Sequence, residues 1–493
     1  TFKEIEMSEL MVNVDLTQEE YFALQNERLN LRLRHNVILD TDSYKLSHSF
    51  AYPDGITGMF SYIESRSKDE TVMLFGLQMW IQSYLTRQIT TQMIDEAEAF
   101  AKGHGEPFDR APWEYIVDTY NGYLPLTIRA VPEGLPLKSG NVLVTIECTD
   151  PKVFWLSSYI ETALQRGVWY PSTIASSDLK IKKLIAGYLD STADNRDLLP
   201  FMLHDFGGRG VSTEEGAQVG GAAHLVNFMG SDTISGVRAA NFYYSSPMSA
   251  FSVPATEHSI ECAYGSSSSN AREYLNKVLT TYAKKGAIVS IVIDGYNVFR
   301  EAEMLCTEFR EKIIASGAKV VFRPDSGDPV EVIERLLQLQ AATFGYDINT
   351  KGYKKIRYVG IIQGDGVDIV AIDKILSMMK RLGYAADNIV FGSGGALLQK
   401  VNRDTYKFAQ KAAAICNERG EWEPIFKDPV TDPGKKSKAG RLTLVRSKVT
   451  GEYETVPRGI RSEEWEDVMV TVYQNGEIMN KLTLDQVRAN AAI

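Results

Sequence analysis

Cysteine and histidine are scarce here, at 4 and 6 among 493 residues. Cys148, Cys262, Cys306 and Cys416 form no C-x-x-C pair, so no disulfide framework is expected. The reading is a reduced, cytoplasmic protein with ordinary buried thiols. No two histidines share an H-E-x-x-H spacing, which argues against a histidine-built zinc site. No run of about 18 apolar residues occurs, so no segment is expected to span a membrane. Thr1-Phe2-Lys3-Glu4 opens no apolar stretch, so no signal peptide is expected. Basic residues are outnumbered, 53 Lys and Arg against 63 Asp and Glu, a formal charge of -10. That removes the broad positive field a nucleic acid would need, while leaving room for a small anion in a local pocket. G-x-x-x-x-G-K-[ST] is absent, which excludes a P-loop, and the missing G-x-S-x-G weakens an acyl-transfer reading.

What is present is globular. Hydrophobic residues make up 44% and charged residues 24%, enough for a large core. Residues 1–35 read as a helical appendage: Thr17-Gln18-Glu19-Glu20 fits a capping box, with a helix through about Arg34. Residues 36–160 mix helical periodicity (Thr71 to Arg87, Ile89 to Lys102) with strand-like runs (Thr127 to Val131, Val142 to Ile146), an α+β texture. Across 161–400, short apolar runs recur, each ending in polar residues or glycine and followed by a helical stretch. They are Leu203 into His204-Asp205, Leu225 to Phe228, Ala287 to Ile293, Val320 to Phe322, Tyr358 to Ile362 and Ile389 to Phe391. Repeated strand-then-helix units predict an α/β fold with a parallel sheet, and polar strand ends favour a (β/α) barrel over an open doubly wound sheet. Residues 401–493 form a tail with helical (Arg403 to Ile415), basic (Lys427 to Arg441) and strand-like (Asp467 to Tyr473) parts. It is too small for its own core and is expected to pack on the α+β domain.

The strand ends carry the candidate chemistry. Gly364-Asp365-Gly366 and Gly392-Ser393-Gly394-Gly395 come late in the repeat, where barrels often bind phosphate through backbone N–H groups. Arg323-Pro324-Asp325-Ser326-Gly327 offers a guanidinium for phosphate and a carboxylate for hydroxyls. His204-Asp205-Phe206-Gly207-Gly208-Arg209 combines an aromatic face with a guanidinium, suited to a flat heteroaromatic ring. Asp232, ending the next unit, would accept from an amide and repel a carboxylate. His258, beside Glu257, is a candidate acid, base or phosphoryl acceptor. Lys435-Lys436-Ser437-Lys438 is a local basic cluster able to attract a polyphosphate.

These residues, with Thr41-Asp42-Ser43-Tyr44-Lys45, Ser252-Val253-Pro254-Ala255 and Phe426-Lys427-Asp428-Pro429, resemble in order and wording the nicotinamide phosphoribosyltransferase family, dimeric type II phosphoribosyltransferases. The resemblance covers most of the chain and omits residues 1–35. It implies that nicotinamide and 5-phosphoribosyl 1-pyrophosphate, with Mg²⁺, give nicotinamide mononucleotide and pyrophosphate. It implies Phe206 stacked on the pyridine, Tyr44 of a second subunit on the other face, Arg209 beside the ring, and Asp232 and Ser252 at the carboxamide. Arg323, Gly394, Gly395 and Ser290 would serve phosphate, and Asp325, Gly364 and Asp365 the ribose. Arg66, Arg403 and Lys411 of a partner subunit would reach the diphosphate, and Lys427, with Lys435 more weakly, would lie near the phosphates. Asp294 would lie on the Mg²⁺–ribose side, with Mg²⁺ carried mainly by the diphosphate. His258 would be phosphorylated by ATP, an activating co-substrate. Two positions depart from eukaryotic members: Gly208 replaces an aromatic residue and Ala409 a hydroxyl. A nicotinate-specific enzyme and a catalytically silent binding protein are the competing readings.

Overall fold

The computed structural model describes residues 36–431, 436–460 and 462–493. The capping box at Thr17 and residue Lys435 lie outside them.

A seven-stranded antiparallel sheet runs Trp422–Pro424, Phe408–Asn417, Ile56–Ser65, Val142–Cys148, Leu126–Ala130, Val470–Gln474, Glu477–Ile478. Both ends of the chain build it, so the tail completes the sheet. The expected helix at Arg403 to Ile415 is a correction. Only Arg403–Tyr406 is helical; Lys407, at φ +52°, ends it, and Phe408–Asn417 is a ten-residue strand. Its alanines favour a helix locally, but pairing with Ile56–Ser65 and burial of Phe408, Ala413 and Ala414 outweigh that preference. Likewise Thr71–Met73 is a strand paired with Pro136–Lys138, and the helix starts only at Leu77. Gly76 makes the break at φ +93°, where a Cβ would meet Pro171 Cγ at 2.4 Å.

The second sheet is parallel and curled: Gly230–Ser231, Leu203–Asp205, Ile389–Ser393, Val359–Gln363, Lys319–Arg323, Ile288–Val292. Strand faces are buried on both sides, as the continuous Val/Ile runs require. Its two edges are joined by residues 251–256. Phe251 N donates to Met229 O at 2.8 Å and Ser231 N to Phe251 O at 3.2 Å; on the other side Ser290 N donates to Pro254 O at 2.9 Å. The stretch Ser252-Val253-Pro254-Ala255, read from sequence only as a motif, therefore closes the barrel wall. Leu225 to Phe228, expected as a strand, instead turns the chain out of helix Glu214–His224, and the strand is Gly230–Ser231 alone. Helix starts after the strands are capped by side chains: Thr213, Asn297, Asp328 and Asp368 each accept backbone N–H groups.

Each sheet has its own apolar core, and helix Glu161–Thr192 passes from one to the other. Leu164 and Val168 pack in the antiparallel-sheet core, and Ile174, Leu179, Ile185 and Leu189 in the barrel core. The last helix, Leu484–Asn490, seats Leu484 and Val487 in the barrel core rather than on the α+β sheet. No helix among the described residues is long and apolar enough to cross a membrane.

Candidate active site at the carboxyl rim of the barrel

The strand ends bring the predicted residues together on one rim. Phe206 follows strand Leu203–Asp205, and its N–H donates to Ser393 O at 2.9 Å. Its ring lies across two glycines: a Cβ on Gly392 would sit 2.0 Å from Phe206 Cε2, and one on Gly364 3.5 Å from it. The glycines thus make a slot floor of bare backbone with an aromatic lid on it. Behind the ring, buried Asp205 accepts Gly207 N–H at 2.7 Å and its backbone carbonyl accepts Asp232 N–H at 2.9 Å. Exposed Asp232 is oriented by Ser252, whose hydroxyl donates to Oδ1 at 2.5 Å. Burial pushes His204 down to about 4, so it stands neutral beneath Asp232. Arg209 is exposed on the following loop.

Across the rim, His258 Nε2 meets Asp294 Oδ1 at 3.0 Å, and Asp294 Oδ2 accepts Asp325 N–H at 3.0 Å. Arg323 reaches Asp325 at 3.4 Å. Burial, reinforced by Asp294 and Asp365, holds the Asp325 acid above the ordinary range even though Arg323 and His258 oppose it. Gly364 lets Asp325 approach, since a Cβ there would be 2.9 Å from Oδ1. Around Gly395 the space is open, and a Cβ on Gly394 would touch only Phe206 O at 3.9 Å. Room for a phosphate therefore lies where backbone N–H groups are accessible. Ser290 is the exception: it is buried in the barrel wall, bonding the closing segment through its backbone.

The predicted basic residues gather elsewhere, around Lys411 of the seven-stranded sheet. Lys411 sits on strand Phe408–Asn417 opposite Tyr62 of strand Ile56–Ser65. Burial holds the Lys411 ammonium below its usual range; Glu161 opposes this, and Arg66, Lys427 and Arg403 add to it. Buried Glu64 organises the group: Arg66 Nε lies 3.2 Å from Oε1, and Lys438 pairs with Oε2. Arg66 also donates to Lys436 O at 2.7 Å, and Lys438 N–H to Tyr62 Oη at 2.9 Å. Tyr44 stands apart, 54% exposed, on a segment tied to helix Glu161–Thr192 through Lys45 and Asp42. Its ring touches only His48 among the aromatic contacts described.

Three acids escaped the sequence reading. Glu64 lies two residues before Arg66, a strand period that puts both on one face. Glu261 lies one helical turn after His258, with its carboxylate on Gly295 N–H. Asp178 pairs with His224 at 2.7 Å, both fully buried behind Asp205. The first two had a periodicity signal; the third joins distant segments and had none.

A sequence model of the nicotinate phosphoribosyltransferase (NAPRTase) family matches residues 201–477, and one of the nicotinamide phosphoribosyltransferase N-terminal domain matches 36–128. A nicotinamide phosphoribosyltransferase of Xanthomonas campestris pv. campestris is 48% identical over 466 residues, covering 92% of this chain and 98% of its own. That of Acinetobacter baylyi is 32% identical over 501 residues, covering 94% and 98%. Among solved structures, nicotinate-nucleotide pyrophosphorylase from Pyrococcus furiosus aligns at TM-score 0.61 and 17% identity, over 93% of this chain and 95% of that one. Human nicotinic acid phosphoribosyltransferase aligns at TM-score 0.55 and 16% identity, over 92% of each. These two likenesses are of fold.

Proposed function

Because this chain belongs to the nicotinamide phosphoribosyltransferase family, we propose that it joins nicotinamide to the phosphoribosyl group of 5-phosphoribosyl 1-pyrophosphate, giving nicotinamide mononucleotide and pyrophosphate. The observation that carries the choice of base is Asp232. An exposed carboxylate beside an aromatic slot, held by Ser252, accepts from a carboxamide NH2 and repels the carboxylate of nicotinate.

In this reading Phe206 and Asp232 aim the pyridine nitrogen at the anomeric carbon. The C–O bond to diphosphate breaks as the C–N bond forms, through an oxocarbenium-like ribose. Arg323, Gly394 and Gly395 hold the 5′-phosphate, and Asp325, Gly364 and Asp365 the ribose. Arg66, Arg403, Lys411 and Lys427 of a second subunit neutralise the leaving diphosphate, and Tyr44 of that subunit covers the ring. Mg²⁺ would screen charge on the diphosphate. The ion would be carried by the substrate, with Asp294 nearby. His258 is the proposed phosphoryl acceptor from ATP. With Nε2–H donated to Asp294, the Nδ1 lone pair attacks the γ-phosphorus and ADP leaves; water later releases phosphate. The four free thiols suit a reducing, cytoplasmic setting.

The test is a product assay with phosphoribosyl pyrophosphate and Mg²⁺, offering nicotinamide and nicotinate separately, each with and without ATP. Mononucleotide from nicotinamide, increased by ATP, is the expected result. Product mainly from nicotinate would overturn the role of Asp232, and no product from either would favour a silent binding protein.

A further inference from the structure

Helix His258–Tyr264 meets the turn after strand Ile288–Val292 at two points. His258 Nε2 lies 3.0 Å from Asp294 Oδ1. One helical turn on, Glu261 receives the Gly295 N–H on both carboxylate oxygens, at 3.1 and 3.0 Å. Glu261 is only 2% exposed. Among the described residues no cation pairs with its carboxylate: nearby Arg300 is taken by Glu301, which is itself fully buried with Oε2 lacking a partner. Tyr296, Cys262 and Tyr274 complete the surroundings. An acid in such a place costs free energy that an apolar side chain would not. Burial pushes it up to about 7; Gly295 N–H and His258 work against that, and Glu301 and Asp294 add to it. In either protonation state an oxygen remains to accept Gly295 N–H. The turn is shaped for this contact, since a Cβ on Gly295 would lie 2.6 Å from Glu261 Cδ.

We propose that Glu261 is a positioning residue for His258: it clamps the Asp294–Gly295 turn to the histidine's own helix, so that Asp294 holds His258 and the Asp325 backbone N–H together. The inference rests on His258 as the phosphoryl acceptor. The clamp fixes which imidazole nitrogen carries the proton and therefore which one faces the γ-phosphate. The ring slot lies on other strands, so the choice between nicotinamide and nicotinate does not depend on it.

Three variants test it, read by acid-labile phosphate taken up from γ-labelled ATP and by the ratio of nicotinamide KM without and with ATP. Glu261→Ala removes the acceptor. Gly295→Ala drives the turn away from an intact Glu261. Glu261→Gln keeps an acceptor oxygen for Gly295 N–H. The first two should lose on the order of tenfold in phosphorylation rate and lose the KM ratio, with the preference for nicotinamide over nicotinate within about twofold of wild type. Glu261→Gln should restore most of both. Wild-type phosphorylation in folded Glu261→Ala and Gly295→Ala would overturn the clamp, as would a Gln variant no better than Ala. If wild-type protein takes up no phosphate, the acceptor reading fails separately. The clamp is then read from the His258 Nε2–H NMR resonance, expected to be lost in both Ala variants and, if retained in both, contradicting the proposal.

Discussion

At the barrel rim the polar groups are short and held by backbone. Asp205 receives Gly207 N–H, Asp294 receives Asp325 N–H, and Asp232 is steered by a serine one strand away. On the seven-stranded sheet the polar groups are long, cationic and mutually repulsive. Arg66, Arg403 and Lys427 lie within electrostatic reach of Lys411, with Glu64 the buried counter-charge for Arg66 and Lys438. In the first region the polar side chains already have fixed partners, which leaves a shaped slot. The second brings like charges together around half-buried Lys411, a repulsion that a bound anion would relieve. A diphosphate leaving a ribose needs both, a rigid seat for the ring and sugar and a cationic receiver for the leaving group.

That contrast sets an order of sensitivity. The rigid region should break sharply. Gly392→Ala places a methyl within 2.0 Å of Phe206 Cε2, so the ring must leave its floor. We expect kcat/KM for nicotinamide to fall on the order of 10²-fold, because misplacing a reacting ring by about 1 Å costs that much; steady-state kinetics on the folded variant would check it. Asp232→Asn removes a charge while keeping an acceptor. The preference for nicotinamide over nicotinate, as a ratio of kcat/KM values, should shrink by roughly 10- to 100-fold, about 1–3 kcal/mol for one mismatched polar contact. An unchanged ratio would take base selection away from Asp232.

The cationic region should yield more gradually. Glu64→Gln leaves Arg66 and Lys438 without their carboxylate, and KM for phosphoribosyl pyrophosphate should rise on the order of tenfold with the nicotinamide KM little changed. Added salt should mimic this in part, raising the same KM several-fold between about 0.05 and 0.5 M as the Debye length shortens. A parallel rise in the nicotinamide KM would erase the distinction between the regions. The smallest effect concerns stability. His204, folded, titrates near 4, below its ordinary 6.5. A lowered base contributes stability above pH 6.5 that is lost as pH falls through about 4, up to about 3 kcal/mol. Thermal unfolding of wild type should therefore fall more steeply over that window than that of His204→Gln.

The rim was legible in the sequence because barrel chemistry sits where strands end. Short apolar runs closing on Gly-Asp-Gly or Arg-Pro-Asp-Ser-Gly mark the strand ends that meet there. The strand at residues 408–417 was not legible, because its alanines carry helical preference and only its partner Ile56–Ser65, some 350 residues away, makes it a strand. The closing segment 251–256 was hidden for a related reason: Pro254 denies it a ladder donor, and its bonds come from neighbours on both sides. Glu261 and Glu64 carried a signal in their spacing from His258 and Arg66, but that signal shows only once the helix and strand are known. Asp178 and His224 meet across a fold and leave no local trace.

The central claim is that the rigid rim of one chain works with the cationic sheet of another. Chains carrying Asp325→Ala and chains carrying Lys411→Ala, each inactive alone, should be unfolded, mixed in equal amounts and refolded together. If every site draws on both chains, each mixed dimer holds one intact site. About half the dimers are mixed, so activity should return to roughly a quarter of wild type. No recovery, with mixed dimers shown to form, would contradict the claim and place both regions of a working site within one chain.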